Sequence, residues 1–191
     1  MPVVTALRAR GSRVIVELDG APWRTLPLDA VAAAGLARGG ELDRERARAL
    51  ARALRRARAE DVALRALARR DHSRASLGAC LERAGVAAVD RRDVVERATR
   101  ARLVDDARFA EARATHLAAR GSGDALIVDD LARRGIDEEL ARSVLSGLEP
   151  EHVRAGRVVA ERGRSVRTIR YLAAHGFSED ILERLIADVE R

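Results

Sequence analysis

The sequence predicts a mostly helical protein: a small N-terminal β-hairpin region followed by tandem three-helix repeats, stacked into an elongated, curved array. Three observations carry this. Aromatic residues make up 2% of the 191 residues and apolar residues 47%, so the core must be Ala, Leu, Val and Ile, which suit helix packing and leave a large sheet short of its usual material. β-rich runs are confined to the stretch before Pro27. Beyond them one serine-to-glycine pattern returns three times at helical spacing.

The elements follow in order. Residues 3–8 and 13–18 are two Val-rich runs joined through Gly11-Ser12, a hairpin signal, with Asp19-Gly20 as the next turn. A third short strand surrounds residues 23–26. So few short strands are marginal alone, and Trp23 is the expected contact against the helices. Residues 29–34 form a short helix stopped by Gly35, and Gly39-Gly40 separates it from a long basic helix starting near Asp43.

Residues 73–85, 122–135 and 165–176 each open on a serine able to cap a helix and close on a glycine. Leu81, Leu131 and Leu172 stand four residues before that glycine, and Val86, Ile136 and Phe177 stand just after it. Gly85, Gly135 and Gly176 suit the left-handed position past a helix end, with the apolar residue closing back as in a Schellman motif. A further helix then starts from Asp137 or Ser178; in the first copy residues 87–90 read as an insertion. Glycine spacings of 50 and 41 residues allow about three helices of ~11 residues per unit. The leading helices fall near residues 60–70, 106–120 and 150–162, with Pro150 in a first turn. The expected organisation is 1–58 (hairpin and basic helix), then repeats at 59–104, 105–148 and 149–191, each covering its neighbour's apolar face.

The sharpest local motif is Leu103-Val104-Asp105-Asp106-Ala107-Arg108-Phe109-Ala110. Asp105 as N-cap puts Asp106 at the positive end of the helix dipole, and Val104 and Phe109 become the two partners of a hydrophobic staple. Adjacent carboxylates on a helix diverge, and no further ligands stand nearby, so the motif starts a helix rather than holding a metal.

All 36 basic residues are arginine, against 30 acids, for a net charge of +6. Residues 1–70 hold 15 arginines and 8 acids (+7); residues 71–191 hold 21 and 22 (−1). Two arginine stripes stand out: Arg48, Arg52, Arg55 and Arg56 in the long helix, and Arg154, Arg157, Arg162, Arg164, Arg167 and Arg170 later on. Such stripes face solvent, phosphates or an acidic protein surface.

Enzyme chemistry finds no constellation. The lone Cys80, expected as buried filler near Leu77 and Leu81, rules out an internal disulfide, and no cysteine spacing suits zinc. His72, His116, His152 and His175 are scattered and expected at the surface or its boundary. Gly121-Ser122-Gly123 follows a helix and lacks a lysine, so it reads as cap and turn rather than phosphate loop. No export or membrane segment is indicated. The expectation is a cytoplasmic, monomeric non-enzyme with no cofactor and no metal.

Several blocks together resemble the RecX regulatory proteins, which modulate the bacterial recombinase RecA. Leu-Ala-Arg-Arg-Asp-His-Ser-Arg-Ala-Ser-Leu (67–77) is similar to the family's L-x-x-R-x-x-S opening, and Leu-Val-Asp-Asp-Ala-Arg-Phe-Ala (103–110) to its L-D-D-x-R-F-A block. Leu-Ala-Arg-Arg-Gly-Ile (131–136) and Tyr-Leu-Ala-Ala-His-Gly-Phe (171–177) resemble two further blocks, in family order. The chain departs at Asp124 and Ala125, where the family usually carries a basic residue, and at His175, where Arg is common. The resemblance implies tandem three-helix repeats and a protein that binds the RecA filament, inhibits its assembly, ATP hydrolysis and strand exchange, and damps the SOS response, with weak single- or double-stranded DNA contact. The partner-facing residues would be Arg48, Arg52, Arg55, Arg56, Arg154, Arg157, Arg164, Arg167 and Arg170. The alternatives are a direct DNA-binding helical protein, or a helical scaffold for another acidic partner.

Overall fold

The computed structural model describes residues 1–189; residues 190 and 191, the end of the span expected for the third repeat, lie outside the described residues. The chain divides into two compact units, one of Met1–Arg69 with Cys80–Arg97, the other of Arg70–Ala79 with the chain from Ala98 onward.

The first unit begins with three strands, β1 (Val4–Arg10), β2 (Arg13–Leu18) and β3 (Ala21–Pro27), in an antiparallel sheet of order β1-β2-β3. Asp19 and Gly20 both have positive φ, 49° and 83°, the geometry of a two-residue hairpin turn that matches strand twist. Val4, Val14, Val16 and Leu26 form one face, packed with Ala30 and Val31 of α1 (Leu28–Ala33) and Leu50 of α2 (Arg44–Leu67). Trp23 is not the packing contact: it is 38% exposed, and Leu26 fills that place. The register slips between Val16↔Arg24 and Glu17↔Pro22, which leaves Trp23 as the unmatched residue of a bulge and turns it away from the core.

Asp43 caps α2 by accepting the Arg46 N–H at 2.7 Å. The helix then runs unbroken to Leu67, so the expected division at residue 58 falls inside one element, and the separate helix expected at 60–70 is mostly the end of that element. Nothing between Asp43 and Leu67 could stop it: the segment holds no Gly or Pro and is mostly Ala, Leu, Arg and Glu, the strongest helix formers.

Eight further helices follow among the described residues: α3 (Arg74–Arg83), α4 (Ala88–Arg100), α5 (Asp106–Ala119), α6 (Asp124–Arg133), α7 (Glu138–Ser146), α8 (Glu151–Arg162), α9 (Val166–Ala174) and α10 (Glu179–Val189). The recurring pattern sits on α3, α6 and α9. Each ends in the same pair of bonds, the glycine N–H reaching back three residues and the next N–H reaching Leu81, Leu131 or Leu172. Residues 87–90 are no insertion: Ala87 occupies the cap position held by Asp137 ahead of α7, and its carbonyl accepts the Arg91 N–H at 2.9 Å. Its apolar side chain hid that equivalence.

Leu77, Leu81, Ile127, Leu131 and Leu172 are fully buried; each is worth roughly 1.5–3 kcal/mol in burial. In the second unit Phe109, Ala114, Ile127, Leu131 and Val144 knit α5, α6 and α7, and Ala155, Val158, Leu172 and Phe177 knit α8, α9 and α10.

Candidate partner-binding surface

Which arginines are available to a partner depends on how the helices dock, and the docking is done largely by polar groups at helix ends. The start of α6 lies directly on the end of α9: Gly123 N–H donates to the His175 carbonyl at 2.8 Å and Ala125 N–H to the Gly176 carbonyl at 3.1 Å. A Cβ on Gly123 would overlap the Gly176 carbonyl, and one on Gly176, whose φ is 78°, would stand 2.5 Å from the Leu126 nitrogen. That closeness explains why Gly123 caps α6 and Ser122, the expected cap, sits buried one residue earlier. The start of α3 repeats the arrangement on α6, with the Ser73 hydroxyl donating to the Arg134 carbonyl at 2.5 Å while it accepts the Ser76 N–H at 3.0 Å.

Helix α8 locks this joint. The Glu151 carboxylate accepts the Asp124 N–H at 2.7 Å and the Ser178 N–H at 3.4 Å, tying the starts of α6 and α10. Arg154 is 3% exposed and spends its guanidinium on the Glu149 carbonyl, the Ser122 carbonyl and the Asp124 carboxylate. It is therefore not part of an exposed stripe. A buried guanidinium must be paired, and three acceptors from two directions match its planar fork.

The Asp105-Asp106 pair divides its labour. Asp105 accepts the Arg108 N–H of its own helix at 3.1 Å, while Asp106 reaches the Arg74 N–H at the start of α3, 2.7 Å away. Val104 and Phe109 are both buried. Asp130 is held by two arginines, with Arg113 Nε at 2.8 Å and Nη2 at 3.0 Å, and Arg134 Nε at 2.8 Å and Nη2 at 3.2 Å. The Arg113 hydrogen bonds, reinforced by Arg134, hold its carboxyl well below the usual carboxylate range despite partial burial.

The remaining arginines differ in what meets them. Arg55 faces Asp90 at 3.5 Å, and Arg56 lies 3.3 Å from Glu60 and 3.8 Å from Asp93. Arg48 and Arg52, on the same helix, are exposed and have no acidic partner among the described residues. Arg157 pairs with Glu149, and Arg162 lies 3.7 Å over the Tyr171 ring, which also stacks on His175. Arg164 is exposed with a partner of its own, whereas Arg167 and Arg170 are exposed and unpaired among the described residues. The two expected clusters thus reduce to two exposed, unpaired pairs, Arg48/Arg52 and Arg167/Arg170.

Two minor expectations need correction. His72 is buried, with Nδ1 3.1 Å from the Ser76 hydroxyl, because it leads directly into the docked start of α3. Cys80 is half-buried rather than enclosed. Among the described residues no three His, Cys, Asp or Glu side chains gather as metal ligands, and no helix is long and apolar enough to cross a membrane.

A small sheet leading into helices that share one stop motif, with arginines displayed along their outer faces, defines a helical-repeat protein. Residues 105–145 match the family model described as the second three-helix domain of RecX. The chain is 35% identical over 136 residues to regulatory protein RecX of Chromohalobacter salexigens, covering 66% of this chain and 90% of that one. It is 32% identical to regulatory protein RecX of Thermobifida fusca, covering 69% and 78%. A crystal structure of regulatory protein RecX matches 98% of this chain and all of that one, with a TM-score of 0.78 at 19% identity; the RecX structure from Lactobacillus salivarius matches 71% and 97%, with 0.60 at 18%. The protein belongs to the RecX family of regulatory proteins.

Proposed function

We propose that this protein is a non-enzymatic regulator that binds the RecA nucleoprotein filament in the cytoplasm, as a monomer, and inhibits its assembly, ATP hydrolysis and strand exchange. The observation that carries the reading is family membership over nine-tenths of a curated regulatory protein's length. The helices support it physically: repeats of the kind expected at 105–148 and 149–191 spread contact over several elements without needing a cavity. Arg48, Arg52, Arg55, Arg56, Arg157, Arg164, Arg167 and Arg170 are exposed and supply the cationic contacts; Arg154 does not.

The test is single-strand-dependent ATP hydrolysis by the cognate RecA while this protein is added from substoichiometric amounts. Loss of hydrolysis well below one regulator per RecA supports action on filament growth or disassembly. An unchanged rate at large excess, with both proteins folded and RecA active alone, defeats the reading. DNA affinity is then the next measurement, and a steep fall with salt would favour direct DNA binding.

A further inference from the structure

Three arginines with no ion pair among the described residues line one cavity of the first unit. It has a volume of 560 Å³ and lies between β3 and α2, with Leu26, Leu54 and Ala57 on its floor and Arg13, Arg24 and Arg58 around it. Their partners are all neutral. Arg13 donates to the Thr25 carbonyl at 2.9 Å, Arg58 to the Ala84 carbonyl at 3.3 Å, and Arg24 lies 5.6 Å from the centroid of the Trp23 ring. The one carboxylate on the rim, Asp61, is held by Arg65 at 3.1 Å. All three arginines are exposed.

We infer that this cavity docks an acidic segment of a partner protein, seating a carboxylate among the three guanidinium groups and a neighbouring aliphatic side chain on the floor. None of the three guanidinium groups is paired with an acid among the described residues, and a carboxylate entering the cavity would give them charge-assisted hydrogen bonds. The apolar floor selects protein over nucleic acid, since a phosphate backbone has no aliphatic group to bury there and Trp23 is the chain's single tryptophan for base stacking. Side-chain docking is favoured over strand addition, because Pro22 and Pro27 bracket β3 and the bulge at Trp23 interrupts its edge. The inference holds for any acidic protein partner and does not rest on the RecA reading.

Calorimetric titration of the whole protein with the capped peptide Glu-Glu-Leu-Glu-Glu-Leu-Glu tests it, with Trp23 emission as a second readout. Saturable binding is expected, weakened about tenfold by Arg24→Glu and further by adding Arg13→Glu, for a loss of at least one charge-assisted contact each. Arg142→Glu, on α7, should leave it unchanged. The variants' circular dichroism should match the parent's, since both arginines are exposed. No saturation at millimolar peptide overturns the inference, as does binding that Arg24→Glu and Arg13→Glu leave intact. Tighter binding of oligothymidylate that those two substitutions abolish would also overturn it and assign the cavity to nucleic acid.

Discussion

Helices α2 and α8 each carry several arginines, and the structure uses them in opposite ways. In α2, Arg48 and Arg52 stand in solvent with no ion pair among the described residues, and Arg55 and Arg56 lie against Asp90 and Asp93 at 3.5 and 3.8 Å, exposed pairs that contribute at most about 1 kcal/mol each. In α8, Arg154 is buried and joins the start of α6 to the loop before α8. The spacing of like residues fixes which face of a helix they share. The neighbours of that face, 30 positions away in the case of Asp124, decide whether an arginine builds the fold or is free for a partner.

The sharpest break in that comparison is Arg154→Ala, which strips Asp124 of its partner and leaves two carbonyls without a donor. A loss of about 3–5 kcal/mol is expected. With roughly 2–4 °C per kcal/mol for a chain of this size, thermal unfolding should show a fall of about 6–20 °C. Arg157→Ala, three residues along the same helix and paired only with exposed Glu149, should cost about 1 kcal/mol or less. Arg154→Lys should rescue little, because a single ammonium cannot span three acceptors. Equal melting temperatures for the Arg154→Ala and Arg157→Ala proteins would show that α8 behaves like α2.

The same joint makes a smaller contrast between two glycines. Gly176 and Gly85 both end a helix with φ near 75° (78° and 74°), but only Gly176 has another helix against it. Gly85→Ala should therefore cost about 1 kcal/mol, the strain of a left-handed alanine. Gly176→Ala adds a clash with the backbone of Leu126 and should cost about 3 kcal/mol in urea denaturation. Similar losses would mean the helix ends separate easily.

How much of this was legible in the sequence follows from range. The serine-to-glycine pattern gave the three helix stops because a stop is local chemistry, a left-handed residue followed by an apolar one. Asp105 was legible as a cap for the same reason. That Asp106 would reach the start of α3, Glu151 the starts of α6 and α10, and Arg154 the Ser122 carbonyl was not, because these partners lie 27 to 32 positions apart. Ala87 misled for a local reason: it caps α4 without a capping side chain. Asp130 lay between, since Arg134 four residues on was a visible helical partner and Arg113 on α5 was not.

Asp130 extends the comparison to pH. Its carboxyl is depressed in the folded protein by Arg113 and Arg134, so its contribution is fully present above the unfolded value near 3.9 and is lost as pH falls toward the folded value. Unfolding free energy should thus decline below about pH 4, and Asp130→Asn should flatten that decline while lowering stability at neutral pH by about 1–3 kcal/mol. An unaltered acid limb in the Asn variant would assign the decline to other carboxylates.

The smallest effect on stability belongs to one of the two arginine pairs that the fold leaves unpaired among the described residues. Arg48→Glu with Arg52→Glu removes no hydrogen bond or ion pair formed among the described residues, so unfolding should shift by no more than about 0.5 kcal/mol. If these side chains are held in solvent for a partner, the same double substitution must weaken inhibition of RecA-dependent ATP hydrolysis, and adding Arg167→Glu and Arg170→Glu must weaken it further. Reversing charge puts repulsion where attraction stood, which slows encounter most at low salt, so the deficit should shrink as salt screens both proteins. A deficit that ignores salt would locate the contact elsewhere on the helices, and full inhibition by the four-fold variant would leave α2 and α8 differing in structure alone.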